Sequence, residues 1–499
     1  MHIPYHQDTR RHSGEMPHEG RLGVIDIGSN SVRLVIYDAI KRTPLPIFNE
    51  KILCGLGKGL AISGKLNPEG KALAESSIKR FLALVRIMDV VELQVIATAA
   101  VRDASDGTEF VESLERKYRL NITVISGRKE AQLAAAGVFS SIYKASGLAG
   151  DLGGGSIELI GVDDGLIGEQ TTIPIGPLRL LDTAKEDRLK TGKIIAKALD
   201  EETWLPGLKP KHFYAVGGSF RALAHIHMRR QDYPLEIVHH YTVKTPAMRK
   251  FLKDIIHASP EVLAKMPGAP AKRVESLVPA AQVLDRILEI THPADVVFCS
   301  SGIREGYLYE RLTPYVRNED SLIASCTDLA SQNGRVPGYA RELFNWMSPI
   351  FGRESDSEKR LRLAACILSE LAWRIHPDYR AEWAFNRIIQ STITGLSHPE
   401  RVTLALALYH RYQHKLKNNS QIVSLIKEKD RAWARTVGIA ANLAFQLSGA
   451  MAGNLNNVSL ALRKGRLEVA FNEESQDLLG DTVRKRIDGL GEAFKELMK

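Results

Sequence analysis

The sequence DIGSNS at residues 26–31 returns in similar form as DLGGGS at residues 151–156. In both places an apolar strand enters the motif, a second apolar strand leaves it, and the aspartate stands where the first strand ends. Glycine permits the tight turn and lets backbone N–H groups approach an anion closely. The two motifs therefore indicate two turns of similar chemistry, each able to hold a phosphate-like group.

Around these turns the first 310 residues alternate short β-branched runs with helical patterns. This alternation predicts layered α/β domains. After about Pro314 the spacing of apolar residues becomes helical and stays so to Tyr412. The polar segment 415–421 is typical of a linker, and the tail predicts a helix, a short strand pair near residues 460–471 and a basic amphipathic helix.

Composition narrows the class of protein. The chain has 499 residues with 44% hydrophobic and 25% charged residues, as in a folded globular protein of several domains. No apolar run is long enough to span a bilayer, and the polar N-terminus lacks the apolar core of a secretory signal. The four widely separated cysteines indicate buried, reduced thiols rather than a disulfide framework. We therefore expect a cytoplasmic protein, with a disordered leader over residues 1–20.

The net charge of +9 suggests a polyanionic partner, although over so long a chain it is a weak signal.

The first turn, with its hydroxyls and Asp26, can hold a phosphate and a metal. Gly-Ser-Asn-Ser is also a common sequence for an ordinary hairpin turn, and for this loop alone the hairpin interpretation is slightly favoured. The second turn favours function, because three consecutive glycines cost conformational entropy. Glu158 follows Asp151 by seven residues, and two carboxylates beside a glycine turn suit a hard cation that bridges to phosphate oxygens.

Three further features are weak when taken singly. Glu130 opens an Ala-rich helix and is, by itself, a good first-turn residue. Arg102 follows a strand at the expected ligand edge of a sheet, where a guanidinium could bind phosphate oxygens, but an isolated arginine is more often a surface charge. Residues 217–219 form a third strand-to-helix glycine turn.

The order of these elements is specific. The matching stretches are DIGSNSVRLVIYD, ATAAVRDA, ISGRKEAQLAAAGV, DLGGGSIEL, AVGGSFRALA and SSGIREGYLYERL, over about residues 22–312. Together they resemble the exopolyphosphatase / guanosine pentaphosphate phosphohydrolase family of the actin-like ATPase superfold, and the chain is most like an exopolyphosphatase. HPDYRAEWAFNRII and GLSHPERVTLALALYHRY are similar to the family's HD-like helical domain.

The resemblance implies five segments. They are a leader (1–20), actin-like lobe I (21–135), lobe II (136–312), an all-α HD-like domain (313–414) and a small α+β C-terminal extension (415–499). HD hydrolases are named for a His-Asp metal pair, and this sequence contains no HD dipeptide. We therefore expect the helical domain to serve structure, dimerisation or substrate guidance rather than to bind a metal.

The resemblance also implies roles for individual residues. Glu130 falls on the catalytic carboxylate that orients and deprotonates the attacking water. Asp151 and Glu158 fall on the metal-binding carboxylates, with Asp26 as a further candidate. The phosphate-binding positions are Ser29, Asn30, Ser31, Arg102, Gly153, Gly154, Gly155 and Ser156. Mg²⁺ is the implied cofactor, and a monovalent cation such as K⁺ is an additional candidate.

A long polyanion needs cations outside the cleft. A basic run at the end of the helical domain, which includes His410, could guide it, although a solvated helix face is an equally good interpretation. The candidate guidance residues are Arg411, His414, Lys415 and Lys417.

The leading hypothesis is Mg²⁺-dependent removal of terminal phosphate from inorganic polyphosphate by a homodimer. The alternative substrate is guanosine pentaphosphate (pppGpp), and neither nucleic acid nor a membrane is an expected partner. A sugar or acetate kinase shares the superfold, but the GRKEA segment and the helical tail argue against it. A catalytically inactive polyphosphate- or alarmone-binding regulator is a third class, against which the intact Glu130, Asp151 and Glu158 argue.

Overall fold

The computed structural model describes residues 20–185, 187–333, 338–352, 354–416, 421–463 and 466–499. These residues form two compact units, 20–318 and 319–499. The predicted leader lies outside the described residues except for Gly20.

The first sheet of the N-terminal unit has the strand order β3-β2-β1-β4-β5. Its strands are β1 (Arg21–Ile27), β2 (Ser31–Tyr37), β3 (Pro46–Leu53), β4 (Val90–Ala97) and β5 (Ile122–Val124). The first three strands form an antiparallel meander, and β4 and β5 add in parallel beside β1. Val24 and Ile25 of β1 are both fully buried on opposite faces, because each face of the sheet is covered.

Helices α1 (Leu60–Ser63), α2 (Pro68–Ile87), α3 (Ala99–Asp103) and α4 (Gly107–Tyr118) complete what we call the first lobe. The longest of them, α2, begins at Pro68 after Asn67, whose side chain accepts from the backbone N–H groups of the first turn. It buries Ile78 and Phe81 against the sheet, in keeping with helical spacing.

The second sheet repeats the arrangement of the first. Its strands are β6 (Ser146–Leu152), β7 (Ile157–Asp163), β8 (Leu166–Ile173), β9 (His212–Val216), β10 (Thr242–Lys244) and β11 (Asp295–Phe298). The order is β10-β11-β9-β6-β7-β8. Strands β6 to β8 form an antiparallel meander, β9 and β11 follow in parallel, and β10 is an added antiparallel edge. The similarity of the two glycine motifs thus corresponds to a repeated sheet topology.

The joining helix α5 (Gly127–Ser141) and the helices of the second sheet follow. Those helices are α6 (Pro177–Ala184), α7 (Arg188–Asp200), α8 (Leu205–Leu208), α9 (Gly218–Arg230), α10 (Thr245–His257), α11 (Pro260–Lys265), α12 (Val274–Thr291), α13 (Ile303–Glu310) and α14 (Pro314–Arg317). We call the second sheet with α6–α12 the second lobe. The long α12 lies in its core, where Leu277 and Leu284 are fully buried.

Helices α5 and α13 cross between the two lobes. Alanines of α5 pack on the second sheet, while Leu133 of α5 and Leu308 of α13 pack on the first sheet. A Cβ on Gly306 would lie 1.8 Å from the carbonyl oxygen of Leu133, so glycine is required for the helices to approach this closely. The crossing fixes the start of α5, which carries Glu130, between the two lobes.

The C-terminal unit, residues 319–499, is mainly helical. It contains α15 (Ser321–Asn333), α16 (Tyr339–Met347), α17 (Asp356–Ile367), α18 (Arg380–Gln390), α19 (His398–Tyr412), α20 (Glu428–Ser448), α21 (Asp481–Leu497) and a hairpin of β12 (Val458–Arg463) with β13 (Arg466–Phe471). The helices of this unit and its late hairpin fall where the sequence predicts them. None of the described helices has the length and apolarity needed to cross a membrane.

Candidate active site

The two glycine motifs fold into matching turns at the ends of β1 and β6. The N–H of Gly28 donates to the carbonyl oxygen of Ser31 at 3.0 Å, and the N–H of Gly153 donates to that of Ser156, also at 3.0 Å. Each turn therefore links the first two strands of its sheet in the same way, and each follows an aspartate.

Carbonyl oxygens of both turns accept hydrogen bonds from neighbouring segments of the backbone. The carbonyl oxygen of Asn30 accepts from Cys54 N, and that of Gly154 accepts from Leu178 N at 2.9 Å. Within the described part of the chain, no acceptor takes the amide N–H groups of Ser29, Asn30, Gly154 and Gly155. These residues line one cleft, so the two turns offer it donors that suit an anion.

The turns approach each other across that cleft. A Cβ on Gly154 would lie 3.0 Å from the Ser29 Cβ and 3.5 Å from the backbone nitrogen of Asn30. A Cβ on Gly155 would lie 3.2 Å from the Ser29 hydroxyl oxygen. Any larger residue in the second turn would thus narrow the space in which the two sets of amides meet.

Four carboxylates line the same cleft: Asp26, Glu130, Asp151 and Glu158. Asp151 and Glu158 are direct partners across the antiparallel strands β6 and β7, so their side chains share one face of the sheet. Glu130 is 4% exposed in the first turn of α5, and Glu158 is 1% exposed. The structure thus brings together the catalytic and metal-binding candidates from four separate elements of the chain, β1, α5, β6 and β7.

Burial changes the acidity of these groups. It raises the pKa of Glu130 to about 7, with Arg102 opposing the shift and Asp151 adding to it. Burial likewise raises the pKa of Asp151 to about 6. Burial and the neighbouring charges of Glu130 and Asp151 raise the pKa of Glu158 well above its ordinary value. A cluster of mutually repelling carboxylates favours a cation in its midst.

The residues fit a divalent cation held jointly with a substrate. In the described residues no group of three or more His, Cys, Asp or Glu side chains is placed to hold a metal by itself. Asp26 accepts from Arg304 Nη1 through Oδ2 at 2.7 Å, so one of its oxygens is occupied. Mg²⁺ is commonly bound by one or two carboxylates together with substrate phosphates, and Asp151 with Glu158 supplies such a pair.

Two phosphate-binding candidates make contacts that the sequence did not predict. Arg102 donates through Nη1 to Glu130 Oε2 at 3.0 Å and does not appear among the described residues that line the cleft. The hydroxyl of Ser156 donates to Glu158 Oε1 at 2.7 Å. Their direct contact with phosphate stays a prediction, whereas their contact with the two carboxylates is a feature of the fold.

A set of cations that the sequence motifs did not reveal lines the cleft. They are Arg33, Lys51, Arg221, Arg273 and Arg304. Burial and then the guanidiniums of Arg273 and Arg221 lower the pKa of Lys51 to about 7, although the residue as a whole is exposed. Burial also lowers the pKa of Arg221 and Arg273. Only Arg304 among them forms an ion pair with a described carboxylate, and Arg33 Nε donates to Asn49 Oδ1 at 2.8 Å, so Lys51, Arg221 and Arg273 remain available to an anion.

The third glycine turn supports this surface. Gly217 has φ 104°, and a Cβ there would lie 2.5 Å from the carbonyl oxygen of Leu152 and 2.9 Å from Asp151 Oδ1. A Cβ on Gly218 would lie 2.4 Å from Arg273 Nη1. Gly217 is therefore needed for the start of α9 to pack against the end of β6, and a side chain at position 218 would displace the Arg273 guanidinium.

The predicted guidance run of the helical unit needs correction. Arg411 is 4% exposed and donates to Glu370 Oε1 at 2.6 Å, because α19 is buried on nearly every side. Burial lowers the pKa of the neighbouring His410 to about 4. His414 contacts Arg486, Lys415 is exposed, and Lys417 lies outside the described residues. Arg411 therefore serves the packing of the helices and is not available to a polymer.

Comparison with known proteins identifies the family. Residues 35–314 match the family described as "Ppx/GppA phosphatase family". The chain belongs to this family. Residues 322–496 of this Ppx/GppA phosphatase also match the domain described as "Exopolyphosphatase, C-terminal".

Relatives of this Ppx/GppA phosphatase carry both activities in their names. Exopolyphosphatase 1 of Mycobacterium tuberculosis is 26% identical over 304 residues, which cover 58% of this chain and 88% of the relative. The guanosine-5'-triphosphate,3'-diphosphate pyrophosphatase of Aeromonas salmonicida is 21% identical over 411 residues, which cover 78% of this chain and 80% of the relative.

Solved structures agree on the fold. An exopolyphosphatase from Cytophaga hutchinsonii superposes with a TM-score of 0.54 at 25% identity and covers 58% of this chain and 96% of its own. The Aquifex aeolicus member of the Ppx/GppA family gives a TM-score of 0.50 at 24% identity, with 58% and 97% covered. The family resemblance and the actin-like fold inferred from the sequence are confirmed.

Proposed function

We propose that this phosphatase is an exopolyphosphatase, which hydrolyses the terminal phosphate of inorganic polyphosphate in the cleft of residues 20–318. One observation carries the proposal: two facing turns with available amides, buried carboxylates and a group of cations line a single cleft. The amides suit a terminal phosphoryl group, and the additional cations suit the phosphates that follow it in a chain.

Hydrolysis then needs one proton transfer. The terminal phosphoryl oxygens accept hydrogen bonds from the amides of Ser29, Asn30, Gly154 and Gly155. Glu130, with a pKa of about 7, takes a proton from water as the water oxygen attacks the terminal phosphorus. The bond from that phosphorus to the bridging oxygen breaks, and the bridging oxygen stays on the shortened chain. Orthophosphate and a polymer one unit shorter leave, and no covalent enzyme intermediate forms.

The carboxylate pair and the cleft cations have different electrostatic roles. Mg²⁺ held by Asp151 and Glu158, when bound, supplies charge neutralisation at the phosphoryl oxygens. Arg221, Arg273 and Lys51 stabilise the negative charge on the polymer that leaves. We propose Mg²⁺ as the cofactor, with K⁺ as an additional candidate, because buried hard oxygen donors are what the site offers.

Hydrolysis of pppGpp is the second candidate. It is favoured by the Aeromonas relative, whose match extends over more of this chain than that of the mycobacterial enzyme. The same turns and Glu130 would serve both substrates, so the two activities differ in what binds beyond the terminal phosphate. The ratio of kcat/KM for long-chain polyphosphate and for pppGpp separates them.

For residues 313–414 we propose the HD-like helical domain, and for residues 415–499 the α+β extension, in a cytoplasmic protein that forms the homodimer that the sequence resemblance implies. The match of residues 322–496 to the exopolyphosphatase C-terminal domain supports the domain assignment. Light scattering on the full chain should give twice the 55.3 kDa mass of one chain. A mass of one chain at micromolar concentration would contradict the dimer.

The function is tested by phosphate release from long-chain polyphosphate and from pppGpp. Glu130→Gln keeps the size of the side chain and removes the base, so the rate should fall roughly 10²–10⁴-fold. Glu112→Gln on α4, an exposed glutamate away from the cleft, is the matched control and should remain fully active. Chelation of Mg²⁺ should abolish release in the wild type and in the control alike.

Each substrate outcome has its own meaning. Faster turnover of polyphosphate supports the first candidate, and faster turnover of pppGpp replaces it with the second. If Glu130→Gln turns over either substrate at the wild-type rate, the proposed mechanism is wrong. If neither substrate is hydrolysed but both bind tightly, the chain is a binding protein with the same fold.

A further inference from the structure

A chain of alternating charges connects the second lobe to Glu130. Arg179 Nη2 donates to Asp103 Oδ2 at 2.6 Å. Arg102 Nε donates to Asp103 Oδ1 at 3.3 Å, and Arg102 Nη1 donates to Glu130 Oε2 at 3.0 Å. Each carboxylate is thus held by an arginine, and the two arginines share Asp103.

The two ends of this chain lie on different lobes. Asp103 ends α3 of the first lobe, whereas Arg179 lies in the first turn of α6 in the second lobe. The start of α6 is fastened to the second glycine turn, because Leu178 N donates to the carbonyl oxygen of Gly154 at 2.9 Å and Gly176 N to that of Gly155 at 3.1 Å. The Asp103–Arg179 pair therefore joins the second turn to the first lobe.

Arg102 links Asp103 to the Glu130 carboxylate, because it donates to both. Its Nη1 also donates to the carbonyl oxygen of Ile125, one residue before the N-cap Ser126 of α5, at 3.1 Å. The side chains of Arg102, Asp103 and Arg179 are 23%, 33% and 27% exposed, so the ion pairs are half-buried rather than free in solvent. Losing Asp103 would leave Arg102 Nε without its acceptor and widen the range of positions open to the guanidinium.

Neither Asp103 nor Arg179 is among the described residues that line the cleft. Neither hydrogen-bonds to Glu130, and the described ion pairs connect them to Glu130 through Arg102. Other charges near Glu130 are the carboxylates of Asp26, Asp151 and Glu158. Among the described residues, Arg102 is the cation that pairs with Glu130, so the orientation of the Glu130 carboxylate depends on it.

We propose that Asp103 and Arg179 are positioning residues, which hold Arg102 and through it Glu130 only while the second glycine turn is seated against the first lobe. This inference rests on the proposed role of Glu130 as the base. Binding of a phosphate between the two turns keeps the lobes together, so it also keeps Glu130 Oε1 directed at the water. Substrate binding and water activation are coupled by this ion-pair chain.

The test separates kcat from KM for polyphosphate hydrolysis in Asp103→Asn and Arg179→Gln. Because a small misplacement of a catalytic group is costly, kcat should fall about 10-fold or more, with KM and the thermal midpoint close to the wild type. Arg179→Lys should recover most of kcat, because a charged donor is restored. In the Asp103→Asn background, Arg179→Gln should add no further loss, because the amide of the first variant keeps a single acceptor oxygen and no longer joins the two arginines.

The matched control is Glu92→Gln. Glu92 on β4 pairs with Arg311 at the end of α13, and this pair does not contact Glu130. It should leave kcat unchanged. An equal loss of kcat in the control would show a general effect of removing an ion pair and overturn the inference.

The remaining outcomes distinguish the inference from the proposed function. If Glu130→Gln is inactive while Asp103→Asn and Arg179→Gln keep wild-type kcat, the inference fails and the function stands. A rise in KM with unchanged kcat would make the pair a substrate-binding feature and also overturn the positioning role. If Glu130→Gln is fully active, the proposed base is wrong, and the inference fails with it.

Discussion

Arginines in the helical unit and arginines in the cleft have opposite surroundings. In residues 319–499, Arg362 is 2% exposed and donates through Nε to Glu354 at 2.9 Å, and Arg411 donates to Glu370. In the cleft, Arg221 and Arg273 have no described carboxylate within ion-pair distance, and Arg304 lowers the pKa of Arg221 further. Buried arginines with a carboxylate partner support the fold, whereas a group of arginines without one indicates a place for an anion from outside.

The largest change in stability is expected from replacing a buried arginine of the helical unit. Arg362→Met removes the partner of Glu354 and leaves a buried carboxylate uncompensated, which should cost about 3–5 kcal/mol of unfolding free energy. Denaturant unfolding followed by circular dichroism measures it, with the exposed Arg374→Met as the control. The specific activity of the remaining folded protein should stay unchanged. An unaltered unfolding midpoint would break the comparison, because the pair would then contribute nothing to the fold.

Replacing an arginine of the cleft should instead weaken substrate binding and leave stability unchanged. Arg273→Gln removes one contact to the polymer, so KM for polyphosphate should rise roughly tenfold while the thermal midpoint stays the same or increases. The dependence of kcat/KM on ionic strength should also become shallower, because one fewer charge is screened. Arg116→Gln, on the outer helix α4, is the control and should change neither quantity. A loss of stability with unchanged KM would show that Arg273 supports the fold rather than binds the polymer.

The smallest effect concerns pH. The folded-state pKa values of Glu130 and Asp151, about 7 and about 6, lie above their unfolded values, so the folded state retains protons that the unfolded state releases. Stability is therefore greatest below the unfolded values and declines as pH rises through the folded values. Asp151→Asn should raise the thermal midpoint by a few degrees at about pH 8 and much less at about pH 4.

Addition of Mg²⁺ sharpens the same test. It should raise the wild-type midpoint more at the higher pH, where the carboxylates are ionised, and should have little effect on Asp151→Asn. A wild-type midpoint that increases with pH relative to the variant would contradict the burial of these charges. An equal effect of Mg²⁺ on both proteins would place the ion elsewhere.

The features that could be predicted from the sequence are those contained in a short stretch of the chain. The two glycine turns are short and combine glycines, hydroxyls and an aspartate between apolar strands, so their chemistry is visible in six residues each. The role proposed for Glu130 came only from the family resemblance, because a glutamate in the first turn of a helix is common. The strand β3 was not predicted, since it begins with Pro46 and has no fully buried residue.

The cleft cations could not be assembled from the sequence because they come from separate elements. Lys51 lies on β3, Arg221 on α9 and Arg273 just before α12. Signals existed in two places: Arg33 interrupts the apolar strand SVRLVIY, and Arg221 follows the third glycine turn. The basic run around Arg411 misled for the opposite reason, since its linear pattern resembles a solvated face while the packing of α19 buries it.

The central claim is that a water activated by Glu130 supplies an oxygen to the terminal phosphorus, so that the bond from this phosphorus to the bridging oxygen breaks. Phosphate released from polyphosphate in water enriched in the heavy isotope of oxygen tests it most directly. The mechanism predicts one heavy oxygen in each released orthophosphate, none in the shortened chain, and loss of release in Glu130→Gln. Heavy oxygen at the end of the remaining polymer, or labelled phosphate from Glu130→Gln at the wild-type rate, would contradict the account.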